Sequence, residues 1–394
     1  MQCVYQLLIL MAVLSVAACT DRKTEELTPW GSSIDDDSIP SGTDAFSISD
    51  IQSNGELIML TLSGPNSFYD YHGRNLGLHY LLCKQFAQQL GVSLRVEVCK
   101  DTLDMVHRLE SGEGDIIAYP MGKKYGKELL LCGAYTASHS GKWAVGKDNK
   151  ELAERLNQWF KPQFVPKILE EEKFLFSTRS IVRRVYSPML NRAQGTISHY
   201  DHYFMQYAPI ARWDWRLMAA QCYQESTFDP QAHSWAGASG LMQIMPGTAR
   251  HLGLPIERIY DPESNIAASA KYLAELNQHF KDVQNPIEKY NYVLASYNGG
   301  FHHIRDAMSL ARKYGKNPYR WAEVSEFVLK LQAPQYYNDP VVKHGYMRGT
   351  ETVEYVRRII ARWEQYRGFA KPGAYNFGSM VPQRASRRNR FRLN

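Results

Sequence analysis

A helix that carries a carboxylate near its C-terminal end constrains this chain more than any other feature. Between Trp213 and Pro230 the sequence reads WDWRLMAAQCYQESTFDP. Trp215, Met218, Ala219 and Cys222 recur at i, i+3, i+4 and i+7, so they form one apolar stripe. Glu225 comes three residues later, close to the same face. Pro230 lacks an N–H and biases Asp229 away from the helical region, so the helix must stop near here. A charged carboxylate on a core-facing stripe is costly. Burial raises its pKa, and so does the negative end of the helix dipole. Such a group stays protonated near neutral pH, the state a general acid needs. The other reading is a glutamate that points into water, and this stretch alone leaves both open.

The residues beyond Glu225 narrow the choice. Gly237-Ala-Ser-Gly240-Leu-Met-Gln-Ile-Met-Pro246-Gly-Thr-Ala249 reads as a glycine-flanked turn, a short apolar run and a new helix start. Later come Ala295-Ser-Tyr-Asn-Gly-Gly300 and Glu351-Thr-Val-Glu-Tyr355-Val. These blocks, with E-S-x-F-D-P at Glu225, resemble the lysozyme-like domain of the soluble-lytic-transglycosylase type in order and spacing. The resemblance covers residues 198–368. Helical patterns at 198–211, 213–228, 246–252, 263–281, 286–297, 300–313, 318–330 and 350–366 fit a mainly α domain.

The resemblance implies peptidoglycan as substrate, cut between N-acetylmuramic acid and N-acetylglucosamine. It implies Glu225 as a single general acid and base, with 1,6-anhydromuramyl ends as product. Ordinary glycosidases use two carboxylates. Asp229 is the nearest other acid, and Asp-Pro at a helix stop reads as structural. By position the family's substrate contacts fall on Ser239, Met242, Gln243, Tyr297, Asn298 and Tyr355. Packing is the rival reading for each. Gly237 and Gly240 read as backbone requirements. A goose-type-lysozyme-like hydrolase and a glycan-binding envelope lipoprotein without activity are the alternatives.

The chain opens with an apolar run, Leu7 to Val16, too short to span a bilayer. It leads into Val16-Ala-Ala-Cys19, which resembles a lipobox, so residues 1–18 read as a lipoprotein signal peptide and Cys19 as the lipidation site. No Lys or Arg precedes the run, a departure from the usual signal. The anchor implies an outer membrane facing the periplasm. Residues 19–50 are Asp-, Ser- and Gly-rich and read as a tether.

The formal net charge is +6, with much of the excess in a basic tail at 369–394, and no nucleic-acid motif accompanies it. No CxxC or HExxH spacing occurs, so neither a metal nor another cofactor is expected. Cys83, Cys99, Cys132 and Cys222 remain, and export would allow some of them to pair, above all within the first domain.

Residues 51–160 alternate strand, helix, strand, helix, strand, which argues for a parallel α/β sheet. G-E-L at Gly55, S-F-Y-x-Y-x-G at Ser67 and G-D-I-I at Gly114 resemble the first lobe of extracellular solute-binding proteins. Such a module precedes the catalytic domain in the murein transglycosylase F branch. Here the second lobe is largely missing, and the loop whose arginine grips a carboxylate is not recognisable between Tyr119 and Glu128. The domain then reads as a spacer or as a contact surface for envelope protein partners. Residues 161–197 read as a structured connector, with short helices at Leu169–Lys173 and Ser180–Val185. The expected fold class is α+β multidomain: an α/β solute-binding-like lobe, then a mainly α lysozyme-like domain.

Overall fold

The computed structural model describes residues 47–136, 139–176 and 180–372. The signal peptide, Cys19, nearly all of the tether and nearly all of the basic tail lie outside the described residues. The described structure begins at Ser47, inside the last residues of the tether reading. Helix α1 (Ile48–Asn54) opens on a capping box between Ser47 and Asp50 and buries Ile48 and Ile51.

Strand β1 (Glu56–Thr61) is followed by a small hairpin of β2 (Tyr69–Tyr71) and β3 (Arg74–Leu76). Helix α2 (Leu78–Leu90) stops at Gly91, which takes the left-handed φ of 78°. Then come β4 (Ser93–Val98), α3 (Thr102–Glu110) capped by Asp101, and β5 (Ile116–Met121). Strands β6 (Leu129–Thr136) and β7 (His139–Gly146) form a second hairpin, and α4 (Lys150–Trp159) returns across the lobe.

The sheet order is β4-β1-β5-β7-β6. The first three strands are parallel and the last two antiparallel, so the sheet is mixed rather than parallel throughout. The correction has a plain cause. Only two residues separate β6 from β7, too few for a crossover helix, and so short a connection can only make an antiparallel pair. Strand alternation divides the core. Leu57, Met59, Ile116 and Ala118 pack on the α2 side, while Leu60 and Ile117 pack with Met105 and Leu109 of α3.

The connector holds α5 (Phe164–Leu175) and then strand β8 (Ile181–Val182), not a second helix. The β-branched pair Ile181-Val182 is stiff and suits an extended conformation. It pairs with β9 (His233–Ser234) of the next region through Ile181 and Ser234.

The helical region comprises α6 (Asp201–Tyr207), α7 (Trp215–Ser226), β9 (His233–Ser234), α8 (Pro246–His251), α9 (Pro262–His279) and α10 (Pro286–Gly299). It continues through α11 (Phe301–Lys313), α12 (Trp321–Lys330), α13 (Pro334–Tyr337) and α14 (Gly349–Arg367). All eight helical patterns in the sequence correspond to helical turns here. Asp261 and Asn285 cap α9 and α10, each with proline at the first helical position. One large core runs from Ile197 to Ala370, separate from the two cores of the first lobe. Both regions nevertheless belong to one compact unit. Tyr69, Leu76 and Tyr346 form a small buried cluster that joins them.

Candidate active site

Helix α7 is held at both ends against α14. Its N-cap, Asp214, is buried and accepts from Nε and Nη2 of Arg216 and from Trp363 Nε1 near the end of α14. A buried carboxylate with this many charge-assisted bonds fixes the start of the helix firmly. Trp215, Met218, Ala219 and Cys222 all sit in the core, as the stripe requires. The helix ends at Ser226 through Thr227 and Phe228, both left-handed with φ of 54° and 63°. Two consecutive non-glycine residues in that region carry strain, which clusters at functional sites.

Glu225 lies one residue before this stop, on the floor of a cleft of about 900 Å³. Burial pushes its carboxyl up to about 7, against the opposing pull of the Tyr355 hydroxyl and of the His72 and Arg183 charges. Tyr355 on α14 donates to Glu225 Oε1 at 2.5 Å. Gln221, one turn before Glu225 on α7, donates from Nε2 to the Tyr355 hydroxyl at 3.1 Å. Arg183, just after β8, donates to the backbone carbonyl of Glu225 at 3.1 Å. The acid, its hydroxyl partner and the amide behind that partner thus form one chain of hydrogen bonds.

Four of the six expected substrate contacts border the same cleft: Gln243, Tyr297, Asn298 and Tyr355. Gln243 takes a left-handed φ of 48° and donates from Nε2 to the carbonyls of Ala232 and Gly240. Tyr297 donates to Met242 O at 2.7 Å, and Asn298 Oδ1 accepts from Thr352 on α14 at 2.7 Å.

Ser239 and Met242 are placed differently. Met242 has no exposed surface and packs in the core, so only its backbone serves the site. Ser239 is buried among backbone bridges to His233 and Ile244, with its hydroxyl bonded to Tyr260 and Gly237. The turn around them is pinned by Asn265, which binds Met242 N, Ser239 O and Ile259 O. Gly240, at φ 80°, leaves no room for a Cβ beside the Asn265 side chain and Ile259 O. Asp229 is held by Arg184 N and Gln231 N and stays out of the cleft, as a structural turn residue would.

Residues 202–320 match the family model described as Transglycosylase SLT domain. Across 56% of its length the chain is 34% identical to the membrane-bound lytic murein transglycosylase F of Desulfosudis oleivorans, covering 48% of that protein. The chain thus spans about half the length of this curated relative. Among solved structures, the 70 kDa soluble lytic transglycosylase SLT70 of Escherichia coli aligns over 43% of this chain and 24% of its own, at 28% identity and TM-score 0.32. Domain 1 of TmArgBP from T. maritima, in its arginine-bound form, aligns over 31% of this chain and 97% of its own, at 22% identity and TM-score 0.25.

The helical region does not line the cleft alone. Asp70, Tyr71 and His72 of the first lobe and Phe176 of the connector also border it. Sequence reasoning passed over Gln221, although its place one turn before Glu225 is a helical-spacing signal. It also passed over Arg183, Glu351 and the hairpin residues, and for those brought in from the first lobe no local pattern existed. The four cysteines among the described residues are free and buried, so the pairing that export would allow within the first domain does not occur. Cys83 and Cys132 serve the core beside α2 and the sheet, where a thiol packs as a small apolar group.

Proposed function

We propose that the protein is a lytic transglycosylase of peptidoglycan, with Glu225 as its single general acid and base. The observation that carries this reading is the Glu225 carboxyl, held by Tyr355 at 2.5 Å in a cleft of glycan size with a pKa near 7. An acid of that pKa is largely protonated below neutral pH and can also take a proton back.

Glu225 gives its proton to the glycosidic oxygen between N-acetylmuramic acid and N-acetylglucosamine as the bond to the anomeric carbon breaks. The muramyl acetamido oxygen stabilises the positive charge left at that carbon. The 6-hydroxyl oxygen of the same sugar then bonds to the anomeric carbon, and its proton goes to the Glu225 carboxylate. The products are a 1,6-anhydromuramyl end and a free 4-hydroxyl on N-acetylglucosamine. Attack within one sugar avoids the entropy of capturing a second molecule. Gln243 and Asn298 offer amide groups to the substrate, and Tyr297 forms part of the cleft wall. Lipidation at Cys19 would hold the protein at the cell envelope, in keeping with a relative named membrane-bound.

Mass spectrometry of purified peptidoglycan digested with the protein tests this reading, beside Glu225→Gln. Anhydromuramyl products that vanish in the variant support it. Reducing ends that depend on Glu225 would replace it with a hydrolase, and digestion unaffected by Glu225→Gln would remove the assigned role.

A further inference from the structure

The β2–β3 hairpin reaches from the first lobe into the cleft. Its turn is two residues long, His72 and Gly73, with φ of 52° and 72°. A two-residue hairpin turn of the I′ type needs positive φ at both positions. Histidine is a strained choice for the first of them. The hairpin is tied to the helical region on both sides of its turn. Arg74 Nε donates to Ala236 O at 2.6 Å, and its guanidinium lies 5.7 Å from the Trp235 ring centroid. Tyr71 packs edge-on to Phe176 and parallel to Trp235.

The decisive contact is made to Glu351. The Tyr71 hydroxyl lies 2.8 and 3.0 Å from the two Glu351 carboxylate oxygens and donates its proton to them. His72 Nε2 lies 3.6 Å from Oε1. Glu351 occupies the first turn of α14, where the helix dipole favours a negative charge. It stands one turn before Tyr355, the partner of Glu225, and next to Thr352, the partner of Asn298. Three cleft contacts therefore leave one helical turn, and the first lobe grips that turn.

We propose that this hairpin is a working wall of the glycan cleft, and that Tyr71 and His72 are positioning residues that hold Glu351 for the saccharide. The inference rests on the proposed transglycosylase activity and deepens it. Two lone pairs of Glu351 face Tyr71. The others can accept from hydroxyl or amide N–H groups of a sugar. Tyr71 and His72 touch no reacting atom and act through the glutamate.

The test uses the full chain and compares Tyr71→Phe, His72→Asn, Glu351→Gln and the Tyr71→Phe/Glu351→Gln double variant. Initial rates of muropeptide release are measured over a range of peptidoglycan concentrations. Each single change is expected to lower kcat/KM by about tenfold, mainly through KM: Tyr71→Phe removes a hydrogen bond to Glu351, His72→Asn the 3.6 Å ion-pair contact, and Glu351→Gln the charge itself. In the Glu351→Gln background, Tyr71→Phe is expected to add less than about twofold, because the two act through one contact. Melting temperatures are expected to stay within about 2 °C of the parent, which separates positioning from stability. Parental kcat/KM in Tyr71→Phe, losses that multiply in the double variant, or losses matched by melting shifts would each overturn the proposal. Should the parent release no Glu225-dependent product, the activity itself fails. The hairpin is then judged by binding of soluble glycan fragments, and equal affinity of parent and Tyr71→Phe would sink it.

Discussion

Tyr355 and Glu225 meet at 2.5 Å across the interface of α7 and α14, with Gln221 donating to the same phenol from behind. The contact lies opposite the Asp214–Trp363 bond, which joins the start of α7 to the end of α14. The two helices therefore run in opposite senses, tied at each end, and the Glu225 carboxyl sits at the tie that opens on the cleft.

Loss of the Tyr355 hydroxyl is expected to cut kcat more than it changes KM. Tyr355→Phe removes one charge-assisted bond to the acid, for a loss of about 10- to 100-fold in kcat. The hydroxyl pulls the Glu225 pKa down, so the alkaline limb of the pH–rate profile moves to higher pH in the variant. A limb that moves to lower pH would contradict the geometry.

The raised pKa of Glu225 makes a linked statement about stability. Its folded value, about 7, lies above the ordinary 4.5. Below the ordinary value both states are protonated and the group is neutral to stability. As pH rises from there through 7, the folded state bears an increasing penalty for a buried charge. Glu225→Gln is expected to match the parent in urea denaturation at pH 4 and to exceed it at pH 8, by about 3 kcal/mol at most. Equal stabilities at pH 8 would mean that the carboxyl is well solvated.

Gln221 separates function from stability. It is fully buried, and its Oε1 has no hydrogen-bond partner. Gln221→Leu removes an unsatisfied buried acceptor as well as the donor to Tyr355, so thermal stability is expected to hold or rise. Activity is expected to fall by about tenfold, through a misplaced Tyr355. Thermal melts and initial rates on the same sample check both.

Gly240 and Asn265 give the opposite pattern. Gly240→Ala places a Cβ against Asn265 and Ile259 O at a backbone angle that disfavours side chains. A loss of more than about 2 kcal/mol is expected in denaturant unfolding. Asn265→Ala strips three buried bonds from the same turn and is expected to lose at least as much.

The cysteines offer a chemical check. Burial pushes the Cys83, Cys132 and Cys222 thiols up, to about 12 at Cys132. Native protein is expected to leave Cys83, Cys99, Cys132 and Cys222 unlabelled by a thiol reagent, and denatured protein to expose all four without reductant. Peptide mapping that finds any two of them linked would contradict the structure.

The local elements and the position of Glu225 were legible in the chain alone. The apolar stripe of α7, the Asp261 cap, the stop at Gly91 and the need for glycine at 240 are all short-range matters of periodicity and backbone sterics. They involve residues a few positions apart, so the order of residues records them. Glu225 was legible for the same reason, because its distance from Cys222 and Pro230 places it at the end of a buried stripe. The burial of Ser239 and Met242 was not legible, because their motif shows which residues recur, not which atoms face the cleft; the turn pinned by Asn265 sends Met242 into the core. It took packing in three dimensions to bring Tyr71 and His72, about 280 positions before Glu351, to the cleft they complete. Hydrogen bonds between elements that distant leave no periodic trace. They exist only once the lobe, the connector and the helical region are packed together.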